Sequence, residues 1–122
     1  MTAAVRHLYI EQGADWAEDF QILTDAGVAD NLTGCTIEGK ARDGELRTSA
    51  VVFSFTFVVN TSENRIYVTV PRATTSAITT LGAKPSDKSS TYFYDYELTR
   101  PGGLVERIQE GKVLMSREIT RA

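Results

Sequence analysis

Apolar and polar residues alternate with a period of two through most of this chain, the pattern of strands with one buried face. The strongest case is residues 51–60, where Val51, Phe53, Phe55, Phe57 and Val59 share one face and Val52, Ser54, Thr56, Val58 and Asn60 the other. The phenylalanines predict the centre of a core, each burial contributing about 1.5–3 kcal/mol. A turn at residues 61–64 leads into residues 65–70, whose Ile66, Val68 and Val70 alternate again, so the two segments predict a hairpin. Residues 35–42 read as a half-buried strand, with Cys35, Ile37, Gly39 and Ala41 opposite Thr36, Glu38, Lys40 and Arg42. Nearer the start, residues 6–12 carry the apolar run His7-Leu8-Tyr9-Ile10, closed by Gly13. Residues 16–24 place Trp16, Phe20 and Ile22 on one face, which they share with Glu18 and Thr24.

The last third reads as a long two-stranded hairpin. Residues 91–99 set Tyr92, Tyr94, Tyr96 and Leu98 against Phe93, Asp95 and Glu97, and residues 105–116 return after the turn Arg100-Pro101-Gly102-Gly103. Proline fixes φ and glycine permits positive φ, so this is a turn with strong chemistry. Gly111 interrupts the returning strand and predicts a bulge there. Pro71 stops the strand before it for want of an N–H. Residues 72–81 then space Ala73, Ala77, Ile78 and Leu81 as in one short helix, with Gly82 at the C-cap position. Residues 84–90 are a polar loop. About seven short strands and one short helix predict an all-β fold, an antiparallel β-sandwich formed as a single domain over residues 1–122.

Composition narrows the functions. Hydrophobic residues make up 42% of the chain and charged residues 24%, values ordinary for a globular domain, so a packed core is expected. The net charge of −3, with Lys and Arg scattered, argues against a nucleic-acid partner. The longest apolar stretch, residues 50–59, is far short of the roughly 20 residues that cross a bilayer, and the N-terminus lacks the apolar core of a signal peptide. The protein is expected in the cytosol or in a particle assembled there.

Catalytic chemistry is sparse. The single cysteine, Cys35, excludes an internal disulfide and reads as a small buried hydrophobe. As a nucleophile it would need a base, and His7 is the only histidine. Glu11, Asp15, Glu18 and Asp19 offer oxygen ligands but match no cation-binding loop, so solvated charge is the expected role. Asp95 and Glu97 point to one face, where pairing with Arg100, Arg107 or Lys112 is expected before acid–base work. No catalytic, metal or cofactor-binding residue is assigned, and the chain reads as a non-enzyme. The row of Tyr92, Tyr94 and Tyr96 is the one candidate site. It reads as core or subunit interface, or alternatively as an aromatic ligand platform.

One resemblance goes further. The segments Tyr94-Asp95-Tyr96-Glu97-Leu98-Thr99, Val105-Glu106-Arg107-Ile108-Gln109-Glu110-Gly111-Lys112-Val113 and Ser116-Arg117-Glu118-Ile119-Thr120-Arg121 resemble the ending of small proteins encoded among tail and structural genes of tailed phages and prophages. The opening, Tyr9-Ile10-Glu11-Gln12-Gly13-Ala14-Asp15-Trp16 and then Leu32-Thr33-Gly34-Cys35-Thr36-Ile37, is similar to the start of the same proteins, with Cys35 where an aromatic often stands. The layout also looks like the N-terminal immunoglobulin-like domain of upper baseplate proteins in some phages of Gram-positive hosts. The resemblance implies an immunoglobulin-like sandwich in a virion, without a cofactor. It would act as a tail, baseplate or fibre-attachment building block that contacts other tail proteins and copies of itself. A carbohydrate-binding host-recognition module, using the tyrosine row or the loops around Asp43 and Lys84, is the alternative, with a capsid-decorating protein beside it.

Overall fold

The computed structural model describes residues 3–78 and 89–116. Among the described residues nine strand segments form two sheets: β1 (Ala4–Val5), β2 (Leu8–Glu11), β3 (Trp16–Phe20), β4 (Thr36–Arg42), β5 (Val51–Ser54), β6 (Thr56–Asn60), β7 (Arg65–Val70), β8 (Ser89–Thr99) and β9 (Val105–Ser116). The larger sheet runs β1-β9-β8-β4-β5, with β2 also on β9, and the smaller runs β3-β7-β6. This is the strand order of an immunoglobulin-like sandwich, the smaller sheet matching strands B, E and D and the larger G, F, C and C′. The expected seven strands become nine because two are interrupted. One breaks at Arg6 and His7, the other at Phe55.

The break at Phe55 overturns the expectation of a single strand across residues 51–60. β5 pairs with β4 in the larger sheet, whereas β6 pairs with β7 in the smaller, with Phe57 opposite Val68. The Phe55 N–H still donates to the Gly39 carbonyl at 3.0 Å, the next position in the β4 register, before the chain passes to the other sheet. The odd-numbered face stays inward across the switch, so the alternation is continuous although the sheet is not. Phe53 and Phe55 are buried and Phe57 partly so. Phe55 lies within ring-contact distance of Trp16, Phe53, Phe57, Tyr94 and Tyr96.

The N-terminal strand departs from the antiparallel rule. β1 and β2 both lie parallel to β9, with Val5 opposite Glu110 and Leu8 opposite Val113. Leu8 and Ile10 anchor β2 in the core. Between them and β1 the chain bends over Gly111, where a Cβ would collide with the Arg6 carbonyl. Gly111 therefore makes no bulge and stays in register with Tyr94. The bulge lies at Ile108, since Gln109 pairs with Tyr96 while Arg107 pairs with Glu97, and both Ile108 and Gln109 are buried.

The helix is shorter than its spacing predicts, α1 covering Arg72–Ser76. Leu81, Gly82 and the loop residues 84–88, Lys84 included, lie outside the described residues, as do residues 117–121 of the resemblance. Thr75 is fully buried beneath this turn, its Oγ1 donating to the Ala14 carbonyl at 2.9 Å and accepting from the Gly13 N–H at 3.1 Å. At the opposite end Arg100 pairs with Asp30 at 2.6 Å and Glu106 at 3.1 Å, tying the loop after β3 to the hairpin turn.

Candidate functional site

The three tyrosines do not form an open platform. Tyr92, Tyr94 and Tyr96 are 5%, 5% and 0% exposed, because the inner face of β8 is the centre of the larger sheet and must be covered by the smaller one. Tyr96 packs edge-on against Phe57 with centroids 5.0 Å apart and lies nearly parallel to Phe20 at 6.1 Å. Gly39 creates the space, since a Cβ there would sit 2.7 Å from the Tyr96 ring.

Burying phenols requires partners for their hydroxyls, and these come from a cluster that reaches across the sandwich. Glu18 on β3 points inward between Trp16 and Phe20, its side chain 5% exposed. Its Oε2 accepts from the Tyr96 hydroxyl at 3.2 Å and from Gln109 Nε2 at 3.4 Å. Its Oε1 is buried and faces Arg6 Nη1 at 3.1 Å, an ion pair without hydrogen-bond alignment. Gln109 Nε2 also donates to the Tyr94 hydroxyl at 2.9 Å, which in turn donates to the Arg6 carbonyl at 2.6 Å. Immunoglobulin domains of antibodies link strands B and F by a disulfide. Here β3 and β8 are joined by a carboxylate and a phenol.

Both phenols stay protonated across the ordinary pH range. Burial, with the nearby Glu18 charge, pushes Tyr94 up to about 12 against an opposing hydrogen bond from Gln109. Burial pushes Tyr96 further above the usual phenol range, with the Glu18 charge adding to it. Apart from the Arg6 side chain the cluster is buried, so its chemistry is that of a clamp. It fastens the N-terminal strand and both sheets together.

The other sequence candidates are dispersed. Glu11 is exposed, Asp15 accepts from the Arg72 N–H at 2.6 Å, Glu18 is internal and Asp19 pairs with Arg65 at 2.6 Å. His7 Nδ1 accepts from the Lys112 N–H, beside Phe93, while Cys35 precedes Thr36, which pairs with Thr99. Six residues of β8 separate the two positions, roughly 20 Å of strand, so His7 cannot serve Cys35 as a base. Asp95 pairs with Arg107 at 3.2 Å, and Arg107 also meets Glu110 at 3.3 Å.

What remains open is the outer face of the larger sheet. The segment 43–50 between β4 and β5 borders it and leaves a groove of about 680 Å³, with Phe93 and Asp95 among its lining and Leu46 at its rim. Arg42 holds that segment, its Nη1 donating to the Ser49 carbonyl at 2.8 Å. Sequence reasoning named the loop around Asp43 but not the groove it borders, because residues 43–50 carry turn signals and no pairing partner. It missed the clamp for a different reason. Glu18 stood on the inward face by its period-two phase, but Arg6 and Gln109 reach it only through the bend over Gly111 and the bulge at Ile108. No protein-family model matches the chain, and no curated protein is significantly similar to it.

Proposed function

We propose that this chain is a structural component of a tailed-phage virion, a tail, baseplate or fibre-attachment building block acting through symmetric protein–protein contacts. The observation that carries this reading is the hairpin segment from Tyr94 to Val113, whose sequence resembles the ending of such proteins. An immunoglobulin-like sandwich is the fold that resemblance implies, and it is the fold found. The three tyrosines that a binding module would expose are spent internally here, on the core and the clamp. That removes the support a carbohydrate-recognition role drew from the tyrosine row. In this reading the protein carries out no catalysis, and its neighbours are other tail proteins and further copies of itself.

The test is mass spectrometry of density-purified particles produced by the phage or prophage that encodes the chain, with antibody-labelled electron microscopy to place it. The protein should appear in stoichiometric amount at the tail. Its absence from intact particles would overturn the reading.

A further inference from the structure

The N-terminal strand keeps one register on β9 across its break. Val5 stands opposite Glu110 and Leu8 opposite Val113, so Arg6 and His7 fall opposite Gly111 and Lys112. In a parallel ladder of this register the Lys112 N–H would donate to the Arg6 carbonyl. That carbonyl is withdrawn. It turns in over Gly111 and accepts from the Tyr94 hydroxyl at 2.6 Å, while the Arg6 N–H keeps its bond to the Glu110 carbonyl at 2.9 Å. A backbone donor left over in this way needs another acceptor. The Lys112 N–H finds it in the His7 ring, donating to Nδ1 at 3.1 Å.

The charges around this ring decide what a proton on it would meet. Its own row of the larger sheet and the adjoining one place Lys112 and Glu110 on β9, Asp95 on β8, and Lys40 and Arg42 on β4. Arg6 precedes it in the chain, and Glu45 and Arg47 of segment 43–50 border the same groove. Glu110 and Asp95 are each paired with Arg107, at 3.3 Å and 3.2 Å. Among the described residues no carboxylate stands within ion-pair distance of His7. A proton on this ring therefore gains no salt bridge in exchange for the bond it breaks.

We infer that His7 is an acid-sensitive latch on the N-terminal strand, its neutral ring holding the seam with β9 closed and its protonation opening that seam. Only the neutral imidazole can accept a hydrogen bond. A proton on Nδ1 turns the acceptor into a donor facing the Lys112 N–H, and the ring must swing away. Imidazole is the side chain that ordinarily exchanges its proton between about pH 5 and 8, so the latch responds to mild acid. Little else holds this end of the strand, because β1 is two residues long and both are exposed. The bonds next in line are those of the Arg6 N–H and the Arg6 carbonyl, the second of which belongs to the clamp through Tyr94. Leu8 and Ile10 remain seated in the core, which confines the opening to residues 4–7.

Nuclear magnetic resonance on the isotope-labelled full chain tests this between about pH 7.5 and about pH 5. At the upper end the neutral ring should carry its proton on Nε2, and acidification should shift the Lys112 amide in step with the His7 ring. Hydrogen exchange at the Arg6 amide, expressed as protection relative to an unstructured chain at the same pH, follows the opening itself. That protection should weaken roughly two- to tenfold across the interval, the equivalent of one ordinary hydrogen bond. His7→Gln supplies an amide oxygen that accepts without titrating, so its Arg6 protection should stay level. His7→Ala has no acceptor at any pH, and its protection should be level at the weakened value. A neutral ring protonated on Nδ1, or a Lys112 amide indifferent to the ring, would overturn the latch. So would an acid weakening in His7→Gln equal to that of the unsubstituted chain.

Discussion

Glycine and glutamate positions show most directly how single residues shape this molecule. Gly111 lies where the N-terminal strand bends inward to bring the Arg6 carbonyl to the Tyr94 hydroxyl. Gly111→Ala drives a methyl group into that carbonyl and should destabilise the fold by about 1–3 kcal/mol, as overpacking does. Urea denaturation measures this, and a change under about 0.5 kcal/mol would mean the bend is soft. Glu18 carries a larger effect. Glu18→Ala leaves the buried Tyr96 hydroxyl and Gln109 amide without their carboxylate, and a loss of about 2–4 kcal/mol is expected. Arg6→Ala should lose less than about 1 kcal/mol, because the Arg6 side chain is 54% exposed and its attraction is screened. If both substitutions lowered stability equally, the ion pair rather than the phenol and amide bonds would be what holds Glu18.

At the scale of elements, the alternation of side chains was legible and the partners of the strands were not. The hairpin of β8 and β9, the turn before β7 and the strand β4 lie where the period-two pattern places them, since each spans one sheet with one buried face. Phe55 shows what the pattern cannot report. A strand that passes from one sheet to the other keeps its inward face, so residues 51–60 alternate just as an unbroken strand would. The bulge escaped for a related reason. Gly111 carried the compositional signal, but the extra residue is Ile108, which looks ordinary in sequence. Because Phe55 joins the sheets at that crossing and touches aromatic rings from both, Phe55→Ala should remove about 3–5 kcal/mol. Phe53→Ala, with its one ring contact to Phe55, should remove less. Comparing the midpoints of chemical unfolding checks the ranking. Equal losses would show that the crossing has no special role.

For the whole molecule, the two sheets are held by an apolar core and by the polar link through Glu18, and that link gives stability a pH dependence. Of the candidate tyrosine row, the sequence showed that the three rings share a face. Their place in the centre of the core follows from β4 and β9 flanking β8, a pairing that only the fold supplies. Once buried, the phenols hold their protons more tightly than in the unfolded chain. Tyr94 rises from 10.0 to about 12, and Tyr96 shifts in the same direction. Below pH 10 both states are protonated there, and this contribution is fully present. Between about pH 10 and 12 the unfolded chain has released those protons while the folded one retains them, so stability falls as pH rises. Unfolding free energy should therefore be level from about pH 7 to 9 and decline steeply above 10. Tyr96→Phe removes one of the two coupled groups, so its stability should be lower near neutrality, where a hydroxyl bond to Glu18 is lost, yet decline less steeply at high pH. The two unfolding curves should converge in the alkaline range. Parallel curves across pH 8–12 would show that the alkaline loss comes from charges elsewhere on the surface and that the link through Glu18 is not what the base disrupts.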